Sequence, residues 1–296
     1  MISIVIPAFN EAEIIEETID HCSKIISICG NSDSEIVIVD DCSTDKTFEI
    51  AKEKGAKVLR HPHNIGYGRS LKDGISVAKN DIIVITDADG TYPIDRIPDL
   101  IKEYNQGFDM IVGARQGKNY DESFIKKLLR LMLKNLVQYT AGRKIDDINS
   151  GLRVFSRSSV MRYFDTLCDT FSFTTSLTLA YMMTGRFVKY IPIEYHVRVG
   201  KSKVKMFKDS LRTLQYITEA ILYYNPLKIF LLVCLITVLF GGLNVAVAFA
   251  FHLKSAFYLS VLSVVLTFLF FGMGLISVIL KQILHNLRFS KYSKID

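Results

Sequence analysis

Carboxylates follow directly after two apolar, β-branched segments of this sequence. Asp40 and Asp41 follow EIVIV, and Asp87 and Asp89 follow IIVIT. Carboxylates crowded at one edge of a sheet repel one another unless a cation lies among them. A hard divalent ion such as Mg²⁺ or Mn²⁺ fits, because it takes oxygen ligands, generally one or two carboxylates together with substrate phosphates. The pattern therefore predicts metal-assisted phosphate chemistry, provided that the two runs are neighbouring strands.

The first two hundred residues alternate apolar strand patterns with amphipathic helical patterns. Strands are predicted at 3–7, 35–40, 57–60, 82–86 and 110–113, and helices at 11–29, 46–54, 68–78 and 94–104. This alternation predicts an α/β fold with a doubly wound, largely parallel sheet. In such sheets the ligand binds beyond the carboxyl ends of the strands, which is where this sequence places its carboxylates.

Two apolar stretches near the end, 229–251 and 256–280, contain no Asp, Glu, Lys or Arg. At about 1.5 Å per helical residue, each can cross a hydrocarbon core of about 30 Å, whereas soluble core helices rarely run so long without a charge. The short link at 252–255 allows only a hairpin. Basic residues flank the hairpin on both sides and Lys254 alone lies in the link, so the positive-inside rule predicts that both ends and the main domain are cytoplasmic.

The basic charge is confined to the last third of the chain. The whole chain carries +6, yet after Val199 there are eleven Lys or Arg against three Asp or Glu. This distribution predicts contact with an anionic membrane surface and argues against nucleic acid as a partner. Apolar residues at helical spacing over 206–225 predict an amphipathic helix in the membrane interface, with a core helix of the main domain as the alternative.

We expect three parts: a main domain at 1–205, an amphipathic helix at 206–225 and a hairpin with a basic tail at 226–296. The five cysteines are scattered, which suits a reducing cytosol better than a disulfide framework. The first residues read directly into a strand, so no signal peptide is expected.

Seven short segments carry a resemblance to a known family. They are 6–11 (IPAFNE), 39–45 (VDDCSTD), 64–68 (NIGYG), 87–93 (DADGTYP), 112–115 (VGAR), 147–153 (DINSGLR) and 198–203 (RVGKSK). In this order the segments resemble glycosyltransferase family 2 with the GT-A fold, and more narrowly its polyprenyl (dolichyl) phosphate mannose or glucose synthase branch. The resemblance covers about the first 205 residues, and an ordered set is far more specific than any one motif.

The resemblance implies roles for the matched residues. The nucleotide base and ribose would be bound by Pro7, Phe9, Glu11 and Asp41. Asp87 and Asp89 would hold Mg²⁺ or Mn²⁺ on the donor diphosphate, with Ala88 between them against the donor.

The catalytic residues implied by the resemblance are Asp89, Arg115, Asp147, Arg198 and Lys203. Arg115 would face the acceptor phosphate or the sugar, and Asp147 would lie at the reacting centre. Arg198 and Lys203, together with the donor-binding Ser202, would belong to a loop that closes over the phosphates.

The implied reaction moves a hexose from a UDP-glucose or GDP-mannose type donor to a polyprenyl phosphate. The leaving diphosphate needs cations already in place to neutralise its charge. The nucleophile is a phosphate oxygen that is already an anion, so a strong general base is not essential and positioning becomes the main task. We expect inversion at the anomeric carbon in one displacement. Homo-oligomers through the hairpin are possible.

Three positions depart from the family pattern. Thr91 stands where many relatives have Gln, so a third metal contact from that position is in doubt. Cys42 replaces a common Gly, and a side chain makes a left-handed turn there less comfortable. Lys201 stands where an acidic residue is frequent.

Several residues also have a purely structural interpretation. Asp40 can cap a turn, which favours Asp41 as the ligand-facing carboxylate, and Asp45 reads as a helix-start residue. His61 and His63 are poor ligands for a hard ion. Three basic residues could reach an acceptor phosphate or could form a solvated helix face: Lys126, Lys127 and Arg130.

Three other functions are compatible with parts of the sequence. The first is a family 2 transferase that extends a glycan and uses the hairpin only as an anchor. The second, a sugar-phosphate nucleotidyltransferase, would need a Gly- and Arg-rich phosphate loop after the first strand, where this chain has PAFNE. The third, a membrane scaffold that binds nucleotide-sugar without turnover, would be favoured if Asp87, Asp89 and Asp147 were missing.

Overall fold

The computed structural model describes residues 1–28, 33–116, 135, 137–139, 142–196 and 206–292, with the backbone alone at 206–213, 216 and 284–292. The chain divides into two compact units, Met1–Ile217 and Thr218–Asp296. The division lies within one helix, Met206–Tyr224, which overlaps the predicted amphipathic helix. The domain boundaries at 205 and 225 stay predictions.

The first unit is built on one sheet whose strands are β1 (Ile2–Ala8), β2 (Glu35–Asp40), β3 (Lys57–Arg60), β4 (Ile82–Ile85), β5 (Met110–Gln116), β6 (Arg153–Ser156) and β7 (Val188–Glu194). Their order is β3-β2-β1-β4-β6-β5-β7. β1 pairs in parallel with both β2 and β4, and β2 pairs in parallel with β3. The carboxyl ends of β1, β2 and β4 therefore meet at one edge, which brings Asp41 and Asp87 to the same side of the sheet.

Two strands were not predicted from the sequence. β6 has only four residues, RVFS, and lies antiparallel between β4 and β5. β7 contains Pro192 and, among the described strands, pairs with β5 alone, at the end of the sheet. Proline removes a ladder hydrogen bond, so it is tolerated on an edge strand but weakens the strand pattern in the sequence. The sheet is thus largely parallel, as predicted, with one antiparallel insertion.

Helices cover both faces of this sheet. They are α1 (Ile15–Ile28), α2 (Thr47–Glu53), α3 (Tyr67–Val77), a 3₁₀ turn (Ile94–Arg96), α4 (Ile97–Tyr104), α5 (Arg157–Met161) and α6 (Phe173–Met183). Ile15 of α1 is buried in one apolar cluster with Ile4 and Ile6 of β1. Gly74 of α3 packs instead on Val5, where an added Cβ would lie 2.5 Å from Cγ1. Successive side chains of a strand point to opposite faces, so α1 and α3 lie on opposite sides, as a doubly wound sheet requires.

The second unit contains two long helices, α8 (Pro226–Phe251) and α9 (Lys254–Tyr292), which follow α7 (Met206–Tyr224). His252 ends α8 in a left-handed conformation with φ of 53°. Pro226–Phe251 and Lys254–Ile283 are long and apolar enough to cross a membrane, and only 11% of the most apolar window of each is buried. A core helix of a soluble protein would be mostly buried, so this exposure favours the membrane interpretation.

Small and hydroxyl-bearing residues line the contact between α8 and α9. The hydroxyl groups of Thr237 and Thr267 lie 2.8 Å apart. An added Cβ at Gly241 would lie 3.2 Å from Cβ of Ser263, whereas a Cβ at Gly242 would have no described atom within 4 Å apart from its own helix backbone and chain neighbours. Gly241 therefore allows the two helices to approach, as small residues do in membranes, and Gly242 does not contribute to this contact.

These two adjacent glycines form a matched pair for a test of the hairpin. Gly241→Leu is expected to destabilise the hairpin by about 1–3 kcal/mol, because the added side chain overpacks the contact with α9. Gly242→Leu should be nearly neutral. Thermal unfolding of the full chain in mild detergent measures both. Equal losses in the two variants would contradict this packing.

Candidate active site

A cavity of about 630 Å³ opens at the carboxyl edge of the sheet. It is lined by Pro7, Ala8, Phe9, Glu11, Asp41, Asn64, Gly66, Tyr67, Ser70, Asp87, Ala88, Asp89, Arg115, Asn149, Phe171, Thr174 and Tyr195. All the residues predicted to bind the donor line it, apart from Ser202, and Arg115 lines it too. Ser202 lies outside the described residues, as do Arg198, Lys203 and the basic cluster Lys126, Lys127 and Arg130.

The loop after β1 is held against the loop after β2. The backbone N–H of Asn10 donates to Ser43 Oγ and that of Glu11 donates to Thr47 Oγ1, both at 2.9 Å. Asp45 accepts from the backbone N–H of Ala12 at 3.1 Å. Asp45 is thus a structural residue that joins the two loops, in line with its interpretation as a helix-start residue.

Two non-glycine residues in these loops have left-handed backbones. Asn10 has φ of 54° and Cys42 has φ of 63°. A side chain in this region costs on the order of 1–2 kcal/mol, least for Asn. The left-handed turn expected to be less comfortable for a Cys side chain is thus present, and Cys42 accepts its strain.

The adjacent residues Asp40 and Asp41 have different roles. Asp40 is fully buried, lies 3.1 Å from Arg60 Nε and accepts from the backbone N–H of Ser43 at 3.2 Å, as a turn cap does. Asp41 lines the cavity, and its carboxylate accepts from the backbone N–H groups of Ile65 at 2.9 Å and Gly66 at 2.8 Å. Asp41 therefore anchors the loop that follows β3 to the cavity wall.

His61 supports the same loop. Its Nδ1 lies 2.8 Å from Asp41 Oδ1, and its Nε2 lies 3.2 Å from Asp73 Oδ2. The ring is 6% exposed. His61 thus bridges two carboxylates and has a structural role, which agrees with its poor suitability as a ligand for a hard ion.

Asp87 and Asp89 lie in the loop that follows β4, and both line the cavity. Asp87 Oδ1 accepts the Tyr67 hydroxyl at 2.8 Å, and an added Cβ at Gly151 would lie 2.9 Å from the same oxygen. Asp89 is 5% exposed and accepts from the hydroxyl of Thr91 at 2.6 Å and from its backbone N–H at 3.2 Å. Thr91 therefore orients Asp89 through two hydrogen bonds.

Arg115 and Asp147 form a buried, bidentate ion pair. Arg115 Nε donates to Oδ2 at 2.7 Å and Nη2 donates to Oδ1 at 2.9 Å. Burial by itself would raise the pKa of Asp147, but the Arg115 guanidinium and the backbone N–H groups of Arg115 and Asn149 outweigh it, so the pKa lies below its ordinary value. Asp147 is thus held ionised by Arg115, which itself lines the cavity.

Arg153 organises the segment that carries Asp147, and sequence reasoning assigned it no role. It is fully buried, and its guanidinium donates to the carbonyl oxygens of Ser150 at 2.8 Å and Ile148 at 2.9 Å and to Thr178 Oγ1 at 2.8 Å. Burial lowers the pKa of Arg153. No signal in the sequence separates this internal guanidinium from one that faces a ligand.

Sequence reasoning also assigned no role to several side chains of the cavity wall, among them Tyr67, Phe171, Thr174 and Tyr195. Tyr67 stood in a matched segment without a role, and Phe171 and Thr174 lie beyond the matched segments. Arg115 Cζ lies 5.4 Å from the centre of the Tyr195 ring. These side chains come together only in the folded chain, so the part of the cavity wall that they form could not be predicted from the sequence.

The start of α3 packs closely on the segment 167–171. An added Cβ at Gly68 would lie 2.7 Å from both the carbonyl carbon of Asp169 and the carbonyl oxygen of Thr170. The backbone N–H of Arg69 donates to the carbonyl oxygen of Asp169 at 2.9 Å. Backbone atoms cannot move aside as a flexible side chain can, so only glycine fits at position 68.

Gly68→Ala is expected to destabilise the first unit by about 1–3 kcal/mol, because the methyl group displaces segment 167–171 and the cavity wall with it. The thermal unfolding temperature of the full chain should therefore fall. Ser76→Ala, at an exposed position of the same helix, is the control. An unfolding temperature equal to that of the control would contradict the close packing.

A doubly wound sheet with a carboxylate-lined cavity at its carboxyl edge is the architecture of GT-A glycosyltransferases, and solved structures of that class match this chain. The sequence model of glycosyl transferase family 2 matches residues 3–164. This chain belongs to glycosyl transferase family 2 and is a glycosyltransferase.

Two relatives extend the comparison beyond the matched domain. An uncharacterized protein of Methanocaldococcus jannaschii is 32% identical over 220 residues, which are 70% of this chain and 88% of that protein. The undecaprenyl-phosphate 4-deoxy-4-formamido-L-arabinose transferase of Edwardsiella ictaluri is 29% identical over 236 residues, 77% of this chain and 69% of that one.

Among solved structures, glucosyl-3-phosphoglycerate synthase from Mycobacterium tuberculosis matches with a TM-score of 0.61 and 20% identity, over 74% of this chain and 79% of that chain. Another structure of that synthase, in complex with Mg²⁺ and UDP, also has a TM-score of 0.61, with 21% identity and the same coverage. These likenesses establish the fold.

Proposed function

We propose that this chain is an inverting hexosyltransferase that moves a sugar from a UDP-glucose or GDP-mannose type donor to a polyprenyl phosphate in the membrane. One observation carries the proposal: a single chain combines the Asp87–Asp89 cavity with two helices that can cross a membrane. A polar donor site on a chain that also has membrane-length helices suits an acceptor with an anionic head and a hydrocarbon tail. The undecaprenyl-phosphate transferase among the relatives supports the same acceptor class.

The donor nucleotide would lie along the loops after β1 and β2. Pro7, Phe9 and Glu11 offer an apolar surface beside a carboxylate, and Asp41 holds the opposite loop in place. This combination of aromatic and polar groups is typical of sites that bind a base and a ribose. Ala88 lines the cavity between the two carboxylates and leaves room for the diphosphate.

Asp87 and Asp89 would hold Mg²⁺ or Mn²⁺ on that diphosphate. Both offer oxygen ligands, and the absence of a side chain at Gly151 leaves the Asp87 carboxylate room. The described residues contain no cluster of three or more His, Cys, Asp or Glu that could enclose an ion. This fits an ion that takes one or two carboxylates and completes its shell with phosphates and water. When bound, such an ion neutralises the charge that develops on the leaving diphosphate.

The acceptor side of the cavity suits a nucleophile that is already charged. Asn149 and Thr174 line that wall, whereas the carboxylates of the described lining come from the loops after β1, β2 and β4. A phosphate oxygen would attack the anomeric carbon, the bond to the donor diphosphate would break, and no proton need be removed. Arg115 and Asp147 would position the acceptor and the sugar, and the loop with Arg198, Ser202 and Lys203 would cover the phosphates.

The hairpin would place the cavity on the cytoplasmic side of the membrane. Lys281 of α9 donates to the carbonyl oxygen of Tyr224, so a basic residue of the second span lies next to the start of the first. Lys228 lies at the same end. Basic residues at one end of a hairpin mark the cytoplasmic side, which also gives cytoplasmic termini. Homo-oligomers through the hairpin remain part of this proposal.

The test is transfer of radiolabel into lipid. The purified full chain in detergent would be incubated with Mg²⁺ or Mn²⁺, a short polyprenyl phosphate and a panel of labelled UDP- and GDP-sugars. We expect one donor to label the organic phase, with a single sugar per lipid and inverted anomeric configuration. Asp89→Ala should abolish the labelling.

Other outcomes separate the parts of the proposal. Release of nucleoside diphosphate without labelled lipid would refute the lipid acceptor. The chain would still be a glycosyltransferase, but with another acceptor, for example a glycan that it extends. Retained configuration, or a covalent glycosyl-enzyme, would refute the single displacement. No binding of any donor would refute the donor class.

A further inference from the structure

Phe171 places an exposed apolar ring in a cavity that also contains carboxylates and a guanidinium. Its side chain is 47% exposed, although it lines the same cavity as Asp87 and Arg115. Exposed apolar area is unfavourable in water, and at a concave polar site it marks a surface that a ligand covers. None of the roles considered so far uses this ring.

The ring is held at a fixed place by a chain of contacts. It stacks on Tyr67 with ring centres 5.8 Å apart and planes 14° apart, and the Tyr67 hydroxyl donates to Asp87 Oδ1 at 2.8 Å. Phe171 therefore contacts Tyr67, which in turn binds Asp87, a carboxylate proposed to hold the ion on the diphosphate.

The backbone around the ring is equally constrained. Lys72 Nζ lies 2.6 Å from both the carbonyl oxygen of Leu167 and Asp169 Oδ1. Together with the close approach of Gly68, these contacts join segment 167–171 to α3. An aromatic ring that is fixed before the ligand arrives loses little conformational entropy on binding.

The position and chemistry of the ring favour a sugar as its ligand. The hexose of a nucleotide-sugar is attached to the diphosphate, next to the proposed ion site, and presents C–H groups on one face and hydroxyl groups on its rim. An aromatic face suits the C–H groups. Asn149, fixed because its amide oxygen accepts from Thr175, and Arg115 line the same cavity and suit the rim.

We propose that Phe171 is a sugar-binding, specificity-determining residue: the donor hexose packs on its exposed ring. This inference depends on the proposed function for its donor class but not for its acceptor. It predicts a selective effect, because a contact with the hexose strengthens binding of the nucleotide-sugar and leaves binding of the free nucleoside diphosphate unchanged.

The experiment compares Phe171→Leu and Phe171→Tyr with the unmodified full chain in detergent with Mn²⁺. Isothermal titration calorimetry without acceptor would measure Kd for UDP-glucose against UDP and for GDP-mannose against GDP. With Phe171→Leu we expect Kd for the bound nucleotide-sugar to rise about tenfold and Kd for its nucleoside diphosphate to change less than twofold. Phe171→Tyr keeps the aromatic face and should stay within about twofold for both ligands.

Each other result overturns the proposal. Equal weakening of nucleotide-sugar and nucleoside diphosphate by Phe171→Leu would show that the ring only supports Tyr67. Unchanged donor binding with a raised KM for polyprenyl phosphate would assign the ring to the lipid. If the unmodified chain binds neither nucleotide-sugar, the proposed function fails as well; if it binds one and Phe171→Leu binds it equally well, this inference fails alone.

Discussion

Asp89→Asn is expected to reduce the rate of sugar transfer by about a thousandfold, which corresponds to about 4 kcal/mol in the activation free energy. Asparagine has nearly the same shape as aspartate and keeps an oxygen that can accept from the hydroxyl and backbone N–H of Thr91. What it removes is one negative charge from the pair proposed to hold the divalent ion. The loss should therefore appear in transfer and in the metal dependence, and only weakly in stability.

The measurement is the initial rate of labelled lipid formation over a series of Mn²⁺ concentrations. The variant should need more Mn²⁺ and stay slow at saturation. Asp99→Asn is the matched control, because Asp99 is exposed and paired only with Arg96 among the ion pairs found. If Asp89→Asn retained more than a tenth of the rate of labelled lipid formation, the proposed role of Asp89 in the reaction would be wrong.

Arg115→Gln is expected to destabilise the first unit by about 3–5 kcal/mol, which is the usual result of leaving a buried charge without its partner. The Asp147 side chain is 4% exposed and that of Arg115 is 12% exposed, so water screens this pair little. In a domain of this size the unfolding temperature should fall by roughly 10 °C. Thermal unfolding of the full chain in detergent measures the shift.

The effect should depend on pH in a defined direction. In the unmodified chain the pKa of Asp147 is lowered, so its contribution to stability is present above its unfolded pKa of about 3.9 and is lost as the pH falls through its folded pKa. Without Arg115, burial raises the pKa of Asp147 relative to the unmodified chain, and protonation at low pH relieves the penalty. The stability gap between the two proteins should therefore be wider at pH 7.5 than at pH 5.

A double variant completes this test. Arg115→Gln with Asp147→Asn removes both charges, so it should lose less stability than Arg115→Gln alone. The coupling free energy between the two positions then follows from the unfolding temperatures of four proteins: the unmodified chain, Arg115→Gln, Asp147→Asn and the double variant. Additive losses and a gap that does not vary with pH would show that the ion pair does not act as the geometry indicates.

Much of the main domain could be predicted from local patterns. β1, β2, β3, β4 and β5 overlap the predicted strands closely, because most of them are rich in Ile and Val and end in turn or acidic residues. The same patterns indicated the edge of the sheet that carries the cavity, since parallel strands share a carboxyl edge. β6 was missed because four residues are too few for a periodic signal, and β7 because Pro192 and Lys189 interrupt its pattern.

The sequence by itself determined the class of chemistry and the membrane-length helices of this protein. Strand-end carboxylates, ordered motifs and uncharged apolar stretches are local features, readable without knowing which segments meet. Only the tertiary structure decided the partners: Arg115 on Asp147, Thr91 on Asp89, the internal Arg153 and the stacking of Phe171 on Tyr67. The contacts of Arg115 with Asp147 and of Phe171 with Tyr67 join residues that are tens of positions or more apart in the chain. Because the packing of whole elements determines such contacts, no local pattern of residue types encodes them.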